Sequence, residues 1–110
     1  TMFEQEKIKA VIKKPNEIGD IVIIENTNEA YKEIIGAEYL DYTLYHSNLM
    51  DNPIDIIVDD FGIKKNLDIN FKLNNNYIFG TAIFVERDKE GYFIDLSDDN
   101  LEYLHSKGII

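Results

Sequence analysis

Tyr77–Glu86 reads YIFGTAIFVE, the most apolar stretch of the chain. Its aromatic and β-branched content predicts a central strand, with Gly80 marking a bulge or a close backbone approach. Downstream, Asp88-Lys89-Glu90-Gly91 is a turn by composition, which sends the chain back as a hairpin through Tyr92 to Leu96. Ser97 then caps a terminal helix that carries Asp98 and Asp99 in its first turn and Gly108 after its last. Upstream, Ile69-Asn70-Phe71 is a short extended piece within Asn66–Leu73, and Asn74-Asn75-Asn76 is an irregular polar connection.

The N-terminal half follows the same logic. Lys7–Lys13 alternates, with Ile8, Ala10 and Ile12 on one face and Val11 on the other, which is the period of a strand. Lys14-Pro15-Asn16 breaks it, and Asp20–Glu25 (DIVIIE) reads as a second, largely buried strand closing a hairpin around Gly19. Asn26 or Thr27 caps a helix over Asn28–Ile35, with Glu29 near its positive end and Gly36 in position to terminate it. Tyr39–His46 (YLDYTLYH) is a strand whose core face is Leu40, Tyr42 and Leu44. Tyr39, Asp41, Thr43 and Tyr45 line its other face. A polar loop over residues 47–53 precedes a strand at Ile54–Val58, and Asp59-Asp60-Phe61-Gly62 is a turn.

Strands joined by short turns pair antiparallel. The predicted fold is α+β: a mainly antiparallel sheet of about five to six short strands with two peripheral helices. Residues 1–6 read as a disordered or cloning-derived N-terminus, with Thr1-Met2 as the scar, and residues 7–110 as one domain.

The 110 residues hold 21 acidic and 11 basic side chains, a net charge of −10, and no cysteine. Disulfides, thiolate catalysis and cysteine-ligated zinc or iron–sulfur clusters are therefore excluded. Direct nucleic-acid binding is disfavoured, because it depends on neutralising phosphates with lysine or arginine. No apolar run is longer than that of Ile21–Ile24, far below the ~20 residues that span a bilayer. The expectation is a cytoplasmic protein with no membrane association.

Taken in order, Ile8-Lys9-Ala10-Val11 with Pro15, Glu25-Asn26-Thr27 leading to Ile34-Ile35-Gly36, Asp59-Asp60-Phe61-Gly62, Asn70, Gly80-Thr81, Phe93 and Leu96-Ser97-Asp98 form a pattern. It resembles the small proteins grouped as domain-of-unknown-function family 3846, from bacteria, phages and mobile elements. The likeness runs from Ile8 to about Tyr103 and is weakest over Tyr39–Asn52. It implies a single small α+β domain and a phage or mobile-element setting, and it brings no catalytic motif.

The chemistry candidates are few. Asp59-Asp60 and Asp98-Asp99 are paired carboxylates, yet a turn and a helix N-terminus favour Asp for local reasons. His46 and His105 sit in no metal-binding or nucleophile motif, and Ser47, Ser97 and Ser106 have no nucleophile elbow around them. No glycine-rich phosphate loop occurs, so a nucleotide would need Lys64, Lys65, Lys72 or Arg87 to gather locally. No cofactor is implied. Tyrosine beside acid is the pattern of a protein-binding face, which makes Tyr39, Asp41, Thr43, Tyr45, Asp59 and Asp60 the candidate contact residues. The expected function is non-enzymatic binding to a host protein, such as a nucleic-acid-handling enzyme. The alternative is a binder of, or enzyme on, a small molecule or nucleotide signal. An open strand edge would permit a homodimer.

Overall fold

The computed structural model describes residues 5–46 and 50–110. Thr1-Met2, read above as a scar, and the candidate hydroxyl Ser47 lie outside the described residues. The elements run β1 (Lys7–Lys13), β2 (Asp20–Glu25), α1 (Asn28–Ile35), β3 (Leu40–Tyr45), β4 (Ile54–Asp59), β5 (Ile69–Leu73), β6 (Asn76–Phe79), β7 (Ala82–Arg87), β8 (Phe93–Ile94) and α2 (Asp98–Ser106).

Local chemistry sets both helices. The Thr27 hydroxyl accepts from the Ala30 amide at 3.1 Å, satisfying one free donor of the first turn of α1. At the other end Gly36 turns left-handed (φ 78°) and its amide donates to the Lys32 carbonyl. Ser97 caps α2 in the same way through the Asn100 amide, and Asp98 and Asp99 occupy the first turn, where the helix dipole favours them.

One antiparallel sheet organises the molecule in the order β2-β1-β7-β4-β3, with β8 pairing β7 beyond the end of the β1 ladder. β4 and β7 are buried on both faces, and their side chains feed two cores alternately. On one face Ile57, Ile83 and Val85 pack with Ile8, Ala10, Phe93 and the helix residues Tyr31 and Ile35. On the other Ile54, Ile56, Val58, Ala82 and Phe84 meet Leu104 of α2 together with Leu73 and Ile78 of the separate β5–β6 hairpin. The sheet is thus sandwiched between α1 and a layer built of α2 plus the hairpin.

Three expectations need correction. Tyr77–Glu86 is two strands rather than one. The chain breaks at Gly80 (φ 75°), and a Cβ there would stand 2.7 Å from the Leu67 side chain. Only glycine allows that conformation and that contact, so β6 leaves for the hairpin while β7 stays central. Asn70 holds the break: its amide nitrogen donates to the Gly80 carbonyl (2.8 Å) and the Lys13 carbonyl (2.7 Å). Its oxygen accepts from the Lys13 ammonium at 3.0 Å.

Second, β2 is not largely buried. It is an edge strand, and Ile21 and Ile23 are 60% and 66% exposed because neither helix reaches over them. Third, the core face assigned to β3 holds only in part. Leu40 packs on the α1 side, but Leu44 is 57% exposed and Tyr42 40%. An edge strand has one neighbour, and α1 covers only its beginning. The two described residues ahead of β1, Gln5 and Glu6, both bond to Asn26. The Glu6 carbonyl accepts from the Asn26 amide (2.9 Å) and the Gln5 carbonyl from the Asn26 side chain (3.0 Å).

Candidate functional site

Pairing of β3 with β4 matches Asp41 to Val58, Thr43 to Ile56 and Tyr45 to Ile54, so these side chains share the α2-and-hairpin face of the sheet. Next to them β4 runs out into the Asp59–Gly62 turn, and the β5–β6 hairpin stands alongside. Between these three segments lies a cleft of about 350 Å³. Asp41, Thr43, Asp59 and Asp60 line one side, and Leu73, Asn74, Asn76 and Tyr77 the other, with Ile63 at the apolar rim. Four of the six candidate contact residues therefore converge on one concavity.

The four are not equivalent. Asp59 is buried, accepting from the Phe61 amide (2.9 Å) and from the Lys65 ammonium at 2.6 Å; that ammonium also reaches the Gly36 carbonyl. Its carboxylate shapes the turn and ties it to the end of α1. Asp41 and Asp60 are exposed, and they supply the cleft with negative charge open to an incoming group. Tyr39 and Tyr45 are used elsewhere. Tyr39 stacks edge-on against Phe61 at 5.6 Å. The Tyr45 hydroxyl is within 3.0 Å of the Tyr103 hydroxyl on α2, and this bond, with burial, pushes its pKa up to about 12.

Spacing gave no warning of Ile63, Tyr77, Asn74 and Asn76. Asn74, Asn76 and Tyr77 reach the cleft on the hairpin that the break at Gly80 separates from β7, and Gly80 with Asn70 was the available signal.

Two other polar clusters belong to the framework. Glu86, buried on β7, accepts from the Ser97 amide (3.0 Å), the Asn100 side chain (2.7 Å) and the Asn52 side chain (3.0 Å). It pins the start of α2 to the sheet and leaves a recess of about 180 Å³ beside Asp51 and Asp99. On the opposite face Asp55 is wholly buried and held by both Nε (2.9 Å) and Nη2 of Arg87, whose guanidinium stacks on Phe93. Burial raises the Asp55 pKa despite that cation. Tyr42 is raised by burial and by Asp55.

The histidine and serine candidates do not assemble. His46 and His105 are exposed, Ser97 Oγ is a helix cap, and Ser106 Oγ donates to the Tyr103 carbonyl. Asp98 faces Lys9 at 3.4 Å on the surface. Among the described residues no three His, Asp or Glu side chains group so as to hold a metal ion, and no helix is long and apolar enough to cross a membrane.

A family model described as Domain of unknown function (DUF3846) matches residues 8–107. The chain belongs to that family. The match takes in every element from β1 to α2, including the Asn70–Gly80 break that opens the cleft. No curated protein and no solved structure matches the chain.

Proposed function

We propose that this DUF3846 chain is a non-enzymatic binding protein that engages a basic host protein in the cytoplasm, and that it originates from a phage or mobile element. The resemblance set out above supports the origin. The single observation that carries the binding mode is the composition of the cleft: Asp41 and Asp60 open to solvent beside Ile63 and Tyr77, with no lysine or arginine among the described lining residues. Such a surface fits a segment that carries lysine or arginine next to apolar residues. Its apolar side chains would gain burial, and its cations would meet carboxylates that cost little to desolvate at a partly open rim. A nucleotide fits it poorly, since phosphate would face the exposed carboxylates of Asp41 and Asp60.

The test uses a peptide of alternating arginine and leucine, with a glutamate–leucine peptide of equal length as control, titrated against the isotopically labelled protein. Amide shifts should cluster at Asp41, Thr43, Asp60, Ile63 and Tyr77 with the basic peptide alone. Asp41→Asn combined with Asp60→Asn should weaken that binding at least about tenfold. Equal response to both peptides, or shifts spread over the whole surface, would remove the proposal.

A further inference from the structure

β2 has the composition of a buried strand and the position of an exposed one. Ile21 and Ile23 project on the same face as Val11 and Lys9, their partners on β1, and Ile18 stands 85% exposed just before them. The β1–β2 ladder runs through six consecutive pairs from Lys7↔Glu25 to Ile12↔Asp20 without a bulge. The far side of β2 has no strand beside it among the described residues. Edge strands are ordinarily blunted by proline, an outward lysine or a bulge, and β2 (DIVIIE) carries none of these.

We infer that β2 pairs antiparallel with β2 of a second copy of this chain, about a two-fold axis at Val22. The symmetry selects the register. A two-fold normal to the sheet keeps each face on its own side only if residue i meets a residue of like parity, so the axis must pass through a residue. At Val22 it places Ile21 opposite Ile23 of the second copy, and Ile23 opposite Ile21, so four isoleucines form one patch continuous with Val11. Asp20 then meets Ile24 and Glu25 meets Gly19, and no like charges stand opposite one another. Centring on Ile21 would leave Ile23 against Gly19. Centring on Ile23 would set Ile21 against Glu25. Val22 is the one axis that buries the isoleucines on each other, and the fit of the strand to its own reverse is what names a second copy as the occupant. The joined sheet carries the two β3 edges at its far ends, so the clefts stay open and the two surfaces act independently.

A chain without cysteine allows a direct test. Val22→Cys should cross-link to a dimer on mild oxidation, because cross-strand partners at a two-fold lie within disulfide reach. Glu90→Cys, exposed on the β7–β8 turn, serves as the control. Sedimentation of the unmodified protein should show a concentration-dependent dimer. Ile23→Lys, an exposed change that leaves the circular dichroism spectrum intact, should weaken that dimer at least about tenfold. A monomer at every concentration up to about 100 µM, a dimer indifferent to Ile23→Lys, or Val22→Cys oxidising no faster than Glu90→Cys would each overturn the inference. Asp41→Asn with Asp60→Asn should leave the mass unchanged, which separates failure here from failure at the cleft.

Discussion

The two edges of the sheet are six-residue strands of similar β-propensity, yet they end the molecule in opposite ways. At β2 the ladder is regular, and the outward side chains are isoleucines that stay more than half exposed. At β3 the side chains are tied down or charged: Tyr45 to Tyr103, Tyr42 against Phe93, and Asp41 and Thr43 in the wall of a cleft. An open edge is a binding element whatever its sequence. Side chains decide what it binds, which is why the two proposals give a like strand to one edge and a basic segment of a different protein to the other.

The comparison depends on the hairpin, since without it β3 would have no cleft. Gly80→Ala should therefore have the largest effect. It places a side chain at φ 75° and a Cβ 2.7 Å from Leu67, and the loss should be about 3 kcal/mol in denaturant unfolding. Hydrogen exchange should rise first in β5 and β6 and last in β1 and β2. Equal acceleration on both sides would mean that the hairpin is not a separable wall. Asn70→Ala comes next. It frees the Lys13 and Gly80 carbonyls and the Lys13 ammonium from a partly buried position, at about 2 kcal/mol by the same measurement.

Those two residues also show where sequence reading stops. The span of α1 and the start of α2 were legible because they are written locally, in Thr27, Gly36 and Ser97 bonding to amides and carbonyls a turn away. The antiparallel sheet was legible because the strand-to-strand connections are short. YIFGTAIFVE, by contrast, has the apolar content of one strand throughout, and what divides it is Leu67, ten and more residues upstream, together with Asn70. DIVIIE reads as buried because composition records apolarity and not position in the sheet, and the end of a sheet is a property of the whole fold. Asp41, Thr43, Asp59 and Asp60 were legible as a group. That Asp59 is already spent on Lys65, and that Tyr77 faces Asp41, follows only from packing.

Salt should separate the edges by sign. Each copy carries a net charge of −10, so screening should favour β2 pairing between copies and oppose capture of a basic peptide by Asp41 and Asp60. Going from low to about 0.5 M salt, a several-fold gain in self-association should accompany a several-fold loss in peptide affinity. Two slopes of the same sign would show that one surface, and not two, is being measured.

The smallest effect isolates the tether that holds β3. Tyr45 has its pKa raised from 10.0 to about 12, first by the hydroxyl bond to Tyr103 and then by burial. A group that holds its proton more tightly when folded adds stability in full below its unfolded pKa and loses it as pH climbs through the folded one. The contribution is therefore whole below pH 10.0 and disappears through about 12. Tyr45→Phe removes the hydroxyl while keeping the ring on Tyr103, so it should cost about 0.5 kcal/mol near neutrality. The gap from the unmodified protein should then close as pH rises past 10.0. Val22 and its neighbours on β2 include no tyrosine, so cross-linking of Val22→Cys should not distinguish the two backgrounds. A gap that stays constant with pH would show that the two hydroxyls do not bond, and that β3 is held to α2 by ring packing alone.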